Sequence, residues 1–329
     1  MIFLLTGLLL AGGRSLLRRA DANGALTTVN RLIPPKSPSV HRSGNNSEVR
    51  SEASGSNQEG RARGFRRQQP QMPTDQPRNS GWRKKRLPSR NEFPTWQIKP
   101  GFDQDVFTFV RVQYDSYGPF GWWDRWDNDY PDGDWNFSYR LQQLTSLKVA
   151  PKSKVMRLTN PELFDHPFIY FAGVQRITFN RPEQTALRRY LLNGGFMMMD
   201  DFWATEGWEN VQREMKKVFP GRQPTELTLR HPIFHCVYDL KELPQVVDLK
   251  TWTDGFDFEH LHSYSSGDQK PHFWGYFDDN QRLIALLCHN NDLGDGWERE
   301  GENRAYFEEY SEKKSYPMGI NIVTYAMTH

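Results

Sequence analysis

The segment Tyr117 to Trp135 (YGPFGWWDRWDNDYPDGDW) sets Trp122, Trp123, Trp126 and Trp135 among Asp124, Asp127, Asp129, Asp132 and Asp134. Aromatic faces beside carboxylates suit a sugar, because the rings stack on C–H faces while the charged oxygens accept from hydroxyls. The same acids could ligate Ca²⁺, but Asp127, Asp129, Asp132, Gly133 and Asp134 miss the EF-hand spacing of glycine and closing glutamate. A plainer reading makes the segment a lid whose tryptophans fill an apolar gap over a sheet.

Asp200 and Asp201 follow the apolar run Phe196 to Met199. Neighbours in an extended chain point to opposite faces, so one carboxylate is expected in a crevice and the other at the cap of the next helix. The first could serve as a general acid or base, or could hold a metal with Asp115 and His289. His289-Asn290-Asn291-Asp292 offers a base, two amides and a carboxylate, with Trp297 and Glu298 close behind, although Asn and Asp also serve ordinary turns. His231 and His235 flank Pro232, which suits a structural turn, and His260 and His262 lack a defined third zinc ligand. The two cysteines, Cys236 and Cys288, sit in no CxxC or CxxH pattern, which disfavours a zinc or redox motif and leaves a free pair or one bridge open.

These groups need elements to position them. Strand-like runs occur at Val106 to Tyr114, Lys154 to Leu158, Phe168 to Ala172, Phe196 to Met199, Phe273 to Phe277 and Leu283 to Cys288. Several are apolar almost throughout, as strands covered on both faces are. Between them, Asn136 to Leu147 carries apolar residues at helical spacing, and Pro182 to Leu192 follows a candidate N-cap, Asn180, and stops at Asn193-Gly194-Gly195. Glu209 to Phe219 places Val211, Met215, Val218 and Phe219 on one stripe. The alternation predicts an α/β fold with an open, largely parallel sheet and helices on both faces. Ligands of such sheets bind outside the carboxyl ends of the strands, where Asp115, Asp200 to Trp203 and His289 to Trp297 fall.

Charge divides the chain. The first hundred residues hold 18 basic and 6 acidic side chains and the other 229 hold 24 and 34, so a net charge of +2 conceals a basic segment and an acidic one. All 13 tyrosines and 9 of the 11 tryptophans follow residue 100, which places the packed domain at 101–329. Ile2 to Gly13 is too short to span a bilayer and has the length of a signal-peptide core, though no basic residue precedes it. A signal peptide over 1–25 is expected, followed by a disordered basic linker over 26–100 that is too poor in Val, Ile and Leu to fold. That predicts a periplasmic or extracellular protein. The basic clusters at Arg61 to Arg67 and Arg83 to Arg86 read as a solvated tether, and no module for specific nucleic-acid recognition accompanies them.

The stretches DYPDGDWNF (Asp129 to Phe137), PELFDHPFIYFAG (Pro161 to Gly173), LRRYLLNGGFMMMDDFW (Leu187 to Trp203), REMKKVFP (Arg213 to Pro220), HPIFH (His231 to His235) and CHNNDLGDGWE (Cys288 to Glu298) resemble the bacterial family called domain of unknown function 4159. The resemblance runs in order over roughly residues 106 to 329. It implies a flavodoxin-like fold related to class I glutamine amidotransferases, an exported or membrane-tethered protein, and association with MoxR-type ATPases and von Willebrand factor A proteins. It implies no activity and no particular cofactor. The amidotransferase relatives place a nucleophilic cysteine at a tight strand-to-helix turn, whereas the comparable turn here reads Asp200-Asp201-Phe202-Trp203.

The leading expectation is a non-amidotransferase domain that binds an envelope glycan or a protein partner. Its candidate ligand-binding residues are Asp115, Trp122, Trp123, Asp129, Asp134, Asp200, Asp201, Trp203, His289, Asn290, Asn291, Asp292 and Trp297. The alternatives are a metal- or carboxylate-dependent hydrolase, with Asp115, Asp201 and His289 as candidate metal ligands, and a non-catalytic scaffold.

Overall fold

The computed structural model describes residues 94–98, 101, 105–118, 125–259, 267–298 and 300–329. The expected signal peptide, the linker apart from 94–98, Trp122, Trp123, His260 and His262 lie outside the described residues.

A seven-stranded sheet forms the centre, in the order β3-β1-β4-β6-β9-β8-β7. Its strands are β1 (Val110–Val112), β3 (Lys154–Met156), β4 (Phe168–Phe171), β6 (Phe196–Phe202), β7 (Thr225–Glu226), β8 (His272–Phe277) and β9 (Leu283–His289). The first five in spatial order are parallel, as the apolar runs predict. β8 instead pairs antiparallel with β9, and β7 antiparallel with β8. Only residues 278–282 join β8 to β9, too few for a crossover, so a hairpin is the one available connection. A separate two-stranded sheet pairs β2 (Asp115–Ser116) with β5 (Ile177–Thr178).

Helices cover both faces. α2 (Arg181–Leu192) begins with a capping box in which the Asn180 side chain accepts from Glu183 N and the Glu183 carboxylate accepts from Asn180 N. α3 (Ala204–Val218) turns Val211, Met215 and Val218 onto the same sheet face, against Met197, Met199 and Leu287. The other face carries α1 (Asp132–Leu144), α5 (Leu293–Glu298) and α7 (Tyr316–Thr328), packed on Phe168, Tyr170, Met198 and Leu286. Two short helices complete the set, α4 (Leu249–Thr253) and α6 (Arg304–Tyr306), and a π-helical segment over Phe307–Ser315 leads from α6 into α7. Among the described residues, no helix is long and apolar enough to cross a membrane.

One irregularity matters for the site. Along β6, Phe196 and Met198 face one core cluster and Met197 and Met199 the other, so strict alternation would send Phe202 to the side of Met198. Phe202 instead joins Met197 and Met199, and the register with β9 shifts between Met199 and Phe202. The extra residue is absorbed where Asp201 takes a left-handed conformation with φ 55°. The two aspartates therefore lie within a bulge, and their directions are set by it and not by plain strand alternation.

Leu286 is fully buried midway along β9. Leu286→Ala should cost about 2–5 kcal/mol through lost contacts and a cavity. Urea unfolding checks this: the midpoint should fall with the slope unchanged, and an unaltered midpoint would place β9 outside the core.

Candidate functional site

The carboxyl ends of β1, β4, β6 and β9 open onto one region, and an unusual density of buried carboxylates lies there. Asp129 comes from the segment before α1, Asp200 and Asp201 from the end of β6, Asp292 and Asp295 from the turn after β9 and the start of α5, and Glu259 from the loop after α4; all are buried. Glu298, at the end of α5, is half-buried.

Arg111 anchors the loop. Its guanidinium lies on β1, 1 % exposed, and pairs with Asp134 on α1 at 2.6 Å from Nη2 and 3.0 Å from Nε. Its Nη1 donates to the carbonyls of Trp126 at 3.1 Å and Asn128 at 2.7 Å, which ties the segment before Asp129 to the strand. Burial alone would lower the Arg111 pKa, but the Asp134 charge and hydrogen bonds outweigh it and hold the group above its ordinary value. The guanidinium also stacks over the Tyr170 ring at 5.1 Å.

Tyr170 carries the connection onward. Its hydroxyl donates to Asp200 Oδ2 at 3.2 Å, and the same oxygen accepts from Gly294 N at 3.1 Å. Asp201 accepts from Asn128 Nδ2 at 2.8 Å and from Trp203 Nε1 at 3.1 Å. Asp292 caps α5 through Asp295 N at 2.9 Å, and Glu259 accepts from Asp248 N at 2.9 Å. Burial, reinforced by the Asp201 charge, pushes the Asp200, Asp292 and Glu259 carboxyls well above the usual range, so each favours its neutral form. Burial likewise raises Tyr170, with Asp200 adding to it.

The backbone is strained at the same place. Asp129 (φ 59°), Asp201 (φ 55°), Ala204 (φ 57°) and Asn290 (φ 57°) are four of the five non-glycine residues with positive φ among those described. Such conformations cost energy and persist where surrounding contacts over-determine them, commonly at functional sites.

Several anticipated residues serve as framework. Asn290 donates to the carbonyls of Asp268 and Lys270 and accepts from Ala204 N, and Asn291 bridges Pro244 O and Val246 N, so both amides are spent on backbone. The His289 ring meets Ala204 O at 2.9 Å through Nε2 and stacks on Phe202 and Trp208. Burial lowers its pKa to about 4. Trp297 is core, packed on Phe137 at 4.5 Å and Tyr170 at 5.7 Å. Trp203 is buried against Phe258. Asp134 is committed to Arg111. Asp115 is drawn onto the small β2–β5 sheet, exposed and paired with Arg157 at 3.0 Å. The candidate metal trio of Asp115, Asp201 and His289 thus has each member engaged with different partners.

The structure adds Arg111, Asn128, Tyr170, Glu259 and Asp295 to the site. Arg111 had a visible signal, a lone charge inside VFTFVRVQY; Tyr170 and Glu259 had none, since only long-range packing brings them in. Cys236 is half-buried and Cys288 fully buried, both as free thiols, and burial raises the Cys288 pKa, the reverse of nucleophile activation. His231 accepts from Ile233 N in the predicted turn. A shallow apolar groove with Leu158, Phe164 and Pro182 in its walls and Arg181 and Arg189 at its edge shares no residue with the acidic region.

The sequence model of a family described as Domain of unknown function (DUF4159) matches residues 108–327. No curated protein matches the chain.

Two tests address this geometry. Arg111→Met leaves Asp134 buried and unpaired and should cost about 3–5 kcal/mol, of which Arg111→Met/Asp134→Leu should recover a large part; a double variant no more stable than the single one would show that the pair is not the source. Raised carboxyl pKa values contribute stability that is present below the usual carboxylate range of about 4 and lost as pH rises through the folded values. Lowered His289 acts oppositely, contributing above the ordinary His pKa of about 6.5 and losing that contribution as pH falls through about 4. Asp200→Asn should therefore gain stability relative to the parent as pH rises in thermal melts; a pH-independent difference would mean that Asp200 titrates normally.

Proposed function

This chain belongs to the family described as Domain of unknown function (DUF4159), whose description carries no activity, and from the geometry of the rim we propose that it is a ligand-binding α/β domain. The site is the acidic cluster around Asp129, Asp201, Asp292 and Asn128. Its ligand presents hydroxyl groups to carboxylate acceptors, and an envelope glycan is the class that fits. The observation that carries this reading is the coincidence of strained backbone at Asp129, Asp201, Ala204 and Asn290 with buried carboxylates at strand carboxyl ends. Half-buried Trp126 and Tyr130, 6.1 Å apart, add aromatic faces beside Asn128 and support a sugar over a phosphate. An acidic folded segment disfavours an anionic ligand on the same grounds.

The apolar amino-terminal run supports export as part of this reading, and the family resemblance adds a MoxR-type ATPase or a von Willebrand factor A protein as partner classes. A hydrolytic alternative draws on one observation. Burial and the Asp201 charge make Asp200 and Asp292 favour the protonated form, and a buried neutral carboxyl can serve as the general acid that hydrolysis needs.

Neutral N-acetylglucosamine oligosaccharides titrated into the purified protein provide the test. Asp201→Asn and Asp129→Asn should each weaken binding at least about tenfold, the loss expected when a charged hydrogen-bond acceptor is removed. Arg189→Ala, on the separate groove, should leave it unchanged. Equal affinity across all four proteins would remove the acidic cluster from the binding reaction, and release of cleaved fragments would favour the hydrolytic reading.

A further inference from the structure

Away from the acidic rim, α2 and the 3-10 turn Pro161–Asp165 flank a shallow groove of about 710 Å³. Its lining is mainly apolar, with buried Leu158, Pro182 on α2 and Phe164 on the turn. Phe164 is 38 % exposed, one of only five large apolar side chains so open to solvent among the described residues. An apolar surface left open in this way and rimmed by charge marks a place where another molecule sits.

The charges at its edge are unspent. Arg181 and Arg189 are exposed, and among the described residues neither guanidinium has an ion pair or a hydrogen bond. Other arginines of the domain are occupied: Arg157 pairs with Asp115, Arg222 with Asp279 and Arg282 with Asp278, while Arg188 donates to the Val218 carbonyl. The acids nearest in sequence are not available to the free pair. Glu162 is bound to Lys154, the Glu183 carboxylate accepts from Asn180 N, and Asp165 makes no ion pair with either arginine. The Arg189 guanidinium lies over the Phe164 ring at 4.8 Å. Stacking on the ring face holds the fork in place and leaves its edge N–H groups free to take a carboxylate.

Spacing narrows what fits. Arg181, Thr185 and Arg189 recur at intervals of four along α2 and so lie on one stripe of the helix, with the two arginines about 12 Å apart along its axis. Four residues of extended chain cover about 13 Å, and residues i, i+2 and i+4 of such a chain face the same side. We propose that this groove docks an extended segment of a partner protein in which two acidic residues, four apart, flank a central apolar one. The acids meet Arg181 and Arg189, and the apolar side chain between them enters beside Leu158, Phe164 and Pro182. Charge complementarity selects this occupant over the chain's own amino-terminal hundred residues, which are basic. The surface shares no residue with the proposed glycan site, so the two readings stand or fall separately.

Calorimetric titration of the full chain with the acetylated and amidated peptide GDSLSDG provides the test. The peptide should bind, and more weakly as salt rises. Arg181→Glu and Arg189→Glu should each reduce its affinity at least about tenfold. Lys216→Glu, an equal change of charge at an exposed position on α3, should leave it unchanged. Peptide GDSLDSG should bind more weakly, because its acids fall on opposite sides of an extended chain. Thermal melts of the two arginine variants should match the parent, since each replaces an exposed and unpaired side chain. No binding at about 1 mM peptide, equal affinity in both arginine variants, or tighter binding of the basic peptide GKSLSKG overturns the proposal. Sedimentation adds the remaining occupant: a parent dimer that both arginine variants dissolve would assign the groove to a second copy of the chain and overturn the assignment to a partner protein.

Discussion

A buried guanidinium organises the rim. Arg111 sits on a strand where every neighbour is apolar, and its burial is tolerated because Asp134 on α1 neutralises it while two backbone carbonyls take its remaining donors. Those carbonyls belong to Trp126 and Asn128, so the charge that fixes α1 against the sheet also fixes the loop that delivers Asp129. The Tyr170 ring beneath the guanidinium passes the constraint to Asp200 and thence to Gly294 at the start of α5. Five elements, β1, α1, β4, β6 and α5, converge on this chain of contacts.

Arg111 is consumed by one carboxylate, while Asp200, Asp292 and Glu259 face the Asp201 charge. Mutual repulsion and burial both disfavour ionisation, which is why Asp200, Asp292 and Glu259 favour protons. An arrangement with this cost adds nothing to folding that a hydrophobic packing would not provide more cheaply. Left-handed backbone at Asp129, Asp201, Ala204 and Asn290 adds to the cost, and the cross-links made by Asn290 and Asn291 offset it by tying the rim to residues 244–246 and 268–270. The balance is understandable if the carboxylates are retained for what they bind.

Much of the scaffold was legible because it depends on local pattern. Continuous apolar runs marked the strands, Asn180 and Pro182 marked the start of α2, and the parallel order brought Asp200 and Asp292 to one rim as expected. What could not be read depends on distant partners. Pairing with Ile177–Thr178 carried Asp115 away from the rim, a bulge between Met199 and Phe202 broke the alternation, and the amides of Asn290 and Asn291 were committed to carbonyls 20 or more positions off. His289 and Trp297 follow the same lesson: residue types that often do chemistry are here held in packing. Arg111 is the instructive omission, since a single charge within an apolar strand demands a buried partner and so points to Asp134.

A crystal structure grown with a saturating neutral oligosaccharide would examine the central claim, that the carboxylates at the strand ends, on the loop held by Arg111, form one binding centre. Sugar density against the Asp129 and Asp201 carboxylates is the predicted result. No sugar there, or sugar bound only elsewhere while Arg111 still holds Asp134, would contradict the account.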